Sequence, residues 1–174
     1  MTNRILIGLI SALLVLISIF ITYQHIKATE VHMALSCRNE LVATNPSTQM
    51  IEHHSLIADF TLQKRSASIS YRYFTIDGTP IATLHLSGDI LSAYKEKDIY
   101  VLNLSHSELI RHNSDLELPL HASHLKAFAK RNIAKEGVYN FTIQIAKRNT
   151  EQSTVLLYFL PSTNICACSL VEMG

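Results

Sequence analysis

Ile5 to Tyr23 reads ILIGLISALLVLISIFITY, an apolar run without a charge, and beyond it the chain changes to short stretches in which apolar and polar residues alternate. As a helix rising about 1.5 Å per residue the run covers roughly 28 Å, close to the thickness of a bilayer core. Only Ser11, Ser18 and Thr22 interrupt it, too few to form the polar face of a buried globular helix. Its length, and the lack of a small-x-small cleavage site close behind it, predict an uncleaved transmembrane anchor rather than a secretory signal. Ala34-Leu35-Ser36 before Cys37 has its large residue in the wrong place for lipoprotein processing. Arg4 precedes the run and no basic cluster follows it, so the N-terminus is expected in the cytoplasm and the remainder outside the membrane.

After the anchor, Ile26, Val31, Met33 and Leu35 are only partly periodic, and the chain up to about Asn39 is expected to continue as a helical stalk. Asn45-Pro46-Ser47-Thr48 breaks it. Leu56, Ala58, Phe60 and Leu62 then alternate with mostly polar partners, as in a half-buried strand. Ile69, Tyr71 and Tyr73 share one face of a second strand, Asp77-Gly78 supplies a tight turn, and Ala82, Leu84, Leu86 and Ile90 face inward on the return. A further strand places Tyr100, Leu102 and Leu104 on one face after the Lys95-Glu96-Lys97-Asp98 turn. Between Ser123 and Lys135 the spacing of Leu125, Phe128, Ala129 and Ile133 is that of a short helix, with Gly137 as its stop. Strands over Val138–Ala146 and Thr154–Leu160 form a second hairpin, Pro161 ends it, and a last strand runs from Ile165 to Val171.

The expected fold is α+β: a mainly antiparallel β domain, either a curved sheet or a small barrel, with one short helix, preceded by a single N-terminal transmembrane helix. The boundaries read as cytoplasmic residues 1–4, anchor 5–23, stalk 24–45 and periplasmic β-rich domain 46–174.

Composition narrows the function. Fifteen basic and fourteen acidic side chains leave a net charge of +1, which provides no field to draw nucleic acid, so direct DNA binding is not expected. The three cysteines, Cys37, Cys166 and Cys168, fall on the outer side of the anchor, where disulfides persist. Cys166 and Cys168 lie on the same face of an extended strand, which does not favour a bond between them, so one is expected to pair with Cys37. Cys166 is the favoured partner, and the cysteine left over is either free or bonded to another chain. A CxC without a second pair is a poor zinc site.

Nine histidines include His53-His54, His121-x-x-His124, His106 and His112, yet none has a third ligand or a carboxylate at a useful spacing, so solvated surface histidines are expected, with a pH switch as the sharper alternative. No GxSxG, SxxK or HExxH is present, and no catalytic, cofactor or metal residue is assigned. Tyr71, Tyr73 and Phe74 read as packing residues of their hairpin, and Lys126, Lys130 and Arg131 as the solvated face of the helix.

The N-terminal anchor, the YRYFTIDGTPIATLHLSGDI hairpin from Tyr71 to Ile90 and the closing YFLPSTNIC from Tyr158 to Cys166 together resemble the FidL-like family of small inner-membrane proteins. The layout is also similar to the ToxS and PsaF families, companions of membrane-spanning winged-helix regulators such as ToxR and PsaE. Relative to a tidy cysteine pair, Cys168 is additional. The resemblance implies a non-enzymatic accessory protein of the bacterial inner membrane, single-pass, whose periplasmic domain binds and stabilises or modulates such a regulator. It brings no catalytic residues with it. A periplasmic sensor for a small amphiphile, such as a bile salt or fatty acid, and an envelope assembly or secretion component are the alternatives.

Overall fold

In a computed structural model of the protein, the described residues are 12–23, 31–44, 51–149, 151–160 and 164–171. The chain divides into two units, Met1–Glu30 and Val31–Gly174.

In the first unit, residues 12–23 are helical (α1) and exposed on all sides. Its polar side chains turn back on the helix itself: the Ser18 hydroxyl donates to the Leu14 carbonyl at 2.9 Å and the Thr22 hydroxyl to the Ser18 carbonyl at 2.9 Å. That internal bonding leaves an apolar surface all round. Among the described residues no helix is long and apolar enough to cross a membrane. Residues 1–11, which hold Arg4 and the start of the expected anchor, lie outside the described residues, as do residues 24–30, the Asn45–Thr48 breaker and Pro161.

The second unit is a closed barrel of eight strands in chain order: β1 Val31–Thr44, β2 Ile51–Lys64, β3 Ser66–Thr75, β4 Pro80–Tyr94, β5 Ile99–Arg111, β6 Tyr139–Asn149, β7 Thr154–Leu160 and β8 Asn164–Val171. Every neighbouring pair is antiparallel, including β1 with β8. Closure decides between the curved sheet and the barrel in favour of the barrel, which leaves side chains at alternate positions facing a common interior. Leu62, Ile69, Leu84, Leu102, Ile143 and Leu157 are fully buried there.

The expected stalk is corrected. Residues 31–44 form β1, a full wall strand, because Val31, Met33, Leu35 and Cys37 are buried at period two; the domain therefore begins at Val31 rather than at 46. The expected hairpin turn does form at Asp77-Gly78: the Gly78 amide donates to the Thr75 carbonyl at 3.1 Å, and Thr75 and Thr79 hydroxyls both bond the Asp77 carboxylate.

Wall curvature depends on irregular register. Strand β4 shifts register against β5 between Ser87 and Gly88 and again between Ile90 and Ser92. At Gly88 a Cβ would collide with the carbonyl oxygen of Asn103, so only glycine permits this close approach.

The helix between β5 and β6, α2, spans Leu120–Glu136 and ends on Gly137, whose left-handed φ of 77° lets its amide bond the Ile133 carbonyl at 2.9 Å. It packs against β5 and β6. The β5–β6 ladder stops at Leu104↔Tyr139, although β5 continues to Arg111. Past that point α2 takes the place of the missing strand neighbour.

Candidate functional site

Between the barrel wall and α2 lies a partly open cavity of about 380 Å³, within the roughly 300–1,000 Å³ range of small-molecule sites. Its apolar part is a group of three rings. Phe60 of β2 stacks on Phe159 of β7 with centroids 5.2 Å apart and on Phe141 of β6 at 6.5 Å, while Phe141 and Phe159 stand 5.6 Å apart. Each ring sits on the buried face of its strand, so three separate alternation patterns converge on one cluster.

Phenol and imidazole groups supply the polar part where α2 meets the barrel. The Tyr73 hydroxyl is 2.9 Å from His121 Nδ1, and the His121 ring lies over both Tyr73 and Tyr71, with centroids 5.9 and 6.5 Å apart. Burial, reinforced by neighbouring Tyr139, Tyr73 and Cys166, pushes the Tyr71 phenol well above the usual phenol range; burial alone does the same for Tyr73 and Tyr139. All three remain neutral hydroxyls at physiological pH. His121 keeps an exposed edge, yet the rings beneath it strip water from the imidazole, and that desolvation, aided by the charge of His124, holds its pKa below the usual 6.5.

A second cavity, of about 580 Å³, lies at the α2 end and is lined by His124, Phe128 and Arg131; it shares His121, Leu125 and Tyr139 with the interior. Phe128 meets the edge of Tyr139 at 5.4 Å instead of entering the core, and the buried positions of α2 are Ala122 and Ala129. Of the expected buried face, Ala129 is buried and Leu125 and Ile133 pack partly buried against the core; Phe128, 44% exposed, is the departure.

The cysteines divide differently from the sequence reading. Cys37 is bonded to Cys168, and Cys166 is free. Both β8 cysteines face inward, so what decides is register: β1 and β8 pair with Cys37 directly opposite Cys168. The bridge is a staple across the line where the barrel closes. Cys166, two residues earlier, has Asn39 of β1 beside it, with Asn39 Nδ2 3.0 Å from its sulfur.

The remaining sequence candidates scatter. His53 bonds Glu40 on the outer surface at 2.9 Å, His112 bonds Thr83 at 2.8 Å, and His106 is exposed. Among the described residues no three His, Cys, Asp or Glu side chains gather as a metal site. Lys126 and Lys130 are solvent-facing, and Arg131 joins the α2-end cavity. Tyr71 and Tyr73 are packing residues, as read from the sequence, and in addition line or cap the cavity with hydroxyls, which alternation alone does not reveal.

Fold and cavity together define an up-and-down eight-stranded barrel with an interior of small-molecule size, apolar at one side and hydroxyl-lined at the other. No protein-family model and no curated protein matches the sequence.

Proposed function

We propose that this is a membrane-anchored accessory protein of the bacterial inner membrane, single-pass with a cytoplasmic N-terminus, whose periplasmic barrel binds and stabilises or modulates a ToxR-like membrane-spanning transcription regulator. The anchor is the lipid-facing run 5–23, supported by its predominantly apolar, charge-free sequence. The observation that carries the reading is the open edge of β1. From Val31 to Thr44 the strand is laddered to β2, but its pairing with β8 ends at Cys37, and among the described residues the stretch Glu40–Thr44 has strand partners on its β2 side only. Val42, 61% exposed, lies in the middle of that stretch. Such an edge accepts a strand from a partner through main-chain hydrogen bonds. Holding both proteins in one membrane raises their effective concentration, so a modest interface suffices.

The test is a photocrosslinking residue at Val42 of the full chain in native membranes, followed by mass spectrometry of the adduct. A single-span protein with a cytoplasmic winged helix is the expected partner. Secretion or pilus subunits at the same position, or no adduct, would overturn the reading.

The cavity favours a second, compatible function: sensing a small amphiphile. An apolar chain or ring would lie on Phe60, Phe141 and Phe159, and the hydroxyls of Tyr71 and Tyr139 would meet its polar group. A ligand that prefers the barrel in complex with the regulator would shift the equilibrium toward the complex.

A further inference from the structure

The closing ladder stops early on the Thr44 side of β1. Among the described residues β1 and β8 share four register pairs, Ala34↔Val171 to Cys37↔Cys168, whereas β1 and β2 share fourteen. Above the disulfide both strands continue: β1 through Glu40 and Leu41, and β8 back through Cys166 and Ile165 to Asn164, which pairs with β7 alone. Residues on both lips line the same cavity as the buried phenylalanines: Asn39, Glu40 and Leu41 on one side, Asn164, Ile165 and Cys166 on the other. A cavity lined at once by 62%-exposed Ile165 and by fully enclosed Phe60 reaches the surface at this seam.

The geometry points to a lateral portal between β1 and β8, bounded below by the Cys37–Cys168 bridge, through which an uncharged, hydroxyl-bearing amphiphile is taken into the barrel. This rests on the amphiphile reading and adds the route and the ligand class. The class follows from the lining. The Glu40 carboxylate turns outward to His53, and neither Lys nor Arg lines the cavity, so a charged head would find no counter-ion there. Hydroxyls of Tyr71 and Tyr139 and the amides of Asn39 and Asn164 are suited instead to neutral hydrogen-bonding groups. At the lip the direct side-chain link between the strands among the described residues is the Asn39 amide against the Cys166 sulfur, a weak contact that opens at small cost.

That same contact makes the portal testable. In Asn39→Cys, the new thiol faces Cys166, and mild oxidation joins them (two thiols lose two protons and two electrons to the added oxidant, such as diamide) in a second bridge that zips the seam two residues further. The full chain in lipid nanodiscs is exposed to a long-chain alcohol carrying a photoactivatable diazirine, irradiated at set times, and the adducts on β2, β6 and β7 are counted by mass spectrometry. The bridged variant should load at roughly a tenth of the unmodified rate or less, since uptake then waits for the wall to open. The double variant Asn39→Cys, Cys166→Ser has the same new cysteine without the bridge and should load as the unmodified protein does. In the unmodified protein, preloading should also slow maleimide reaction at Cys166. Unmodified loading in the bridged variant would overturn the portal while leaving the cavity reading intact, with uptake at the α2 end instead. Absence of interior adducts in every form would overturn both.

Discussion

At two joints of the barrel wall a long strand runs on past the end of its ladder, β5 beyond β6 and β1 beyond β8, and the two joints are secured in different ways. At β5–β6 the ladder runs for six pairs, Ile99↔Gln144 to Leu104↔Tyr139, and then α2 lies against both strands, with Ala122 and Ala129 buried beneath it. At β1–β8 the ladder, among the described residues, runs for four pairs and ends on a disulfide, and no described helix lies across the remainder. A helix both fixes and covers. A covalent staple fixes without covering, which leaves an exposed strand edge and a way into the interior. The joint secured covalently is therefore the one that remains free to interact, and both proposed functions lie there.

Breaking the staple is expected to have the largest effect. Cys37→Ser with Cys168→Ser releases a loop closed over a sequence separation of 131 residues. In the chain-entropy view this costs about 4–5 kcal/mol, measurable as a lower denaturation midpoint relative to the oxidised protein. Cys166→Ser, which leaves the staple intact, should change the midpoint little.

Disturbing the helix-covered joint comes next. Ala129 is fully enclosed between α2 and the wall, so Ala129→Leu overpacks that joint and should cost about 1–3 kcal/mol in urea unfolding. Loading through the β1–β8 seam should persist in this variant, separating the two joints functionally.

The smallest expected effect is on pH dependence. His121 has a folded-state pKa below its ordinary 6.5, so on acidification the unfolded chain takes up the proton first. The stability that this residue contributes is complete above pH 6.5 and is lost as pH falls through that value toward the lower folded pKa. Thermal melts from pH 7.5 to 5 should decline less steeply for His121→Gln than for the unmodified protein.

The difference between the joints also explains what could be read in the sequence. The central wall was legible because strict alternation, as in Ile69, Tyr71 and Tyr73 or Phe141, Ile143 and Ile145, records a face buried against one core, and Asp77-Gly78 fixes a hairpin locally. Joints are non-local. Val31, Met33 and Leu35 alternate too, but the stretch is short and follows directly on from a predicted helix, so its period does not separate a strand from a continuing stalk. The choice between Cys166 and Cys168 could not come from side-chain facing, because both point inward; only the β1–β8 register brings Cys168 opposite Cys37. For the cavity, Phe60, Tyr71 and Phe159 come from three different strands and Tyr139 with Phe141 from a fourth, and no spacing links the four strands. In α2 the spacing shows Leu125, Ala129 and Ile133 on the core side, but not that the closest approach to the wall uses alanines and leaves Phe128 against the edge of Tyr139.

Amide hydrogen exchange along β1 of the full chain in nanodiscs tests the central claim most directly. With the edge open, alternate amides within Glu40–Thr44 should exchange far faster than those of Ala34–Cys37, which are laddered on both sides, and should slow once the regulator captured at Val42 is added back. Uniformly slow exchange from Ala34 to Thr44 in the protein alone would mean that the edge is already covered, contradicting the account.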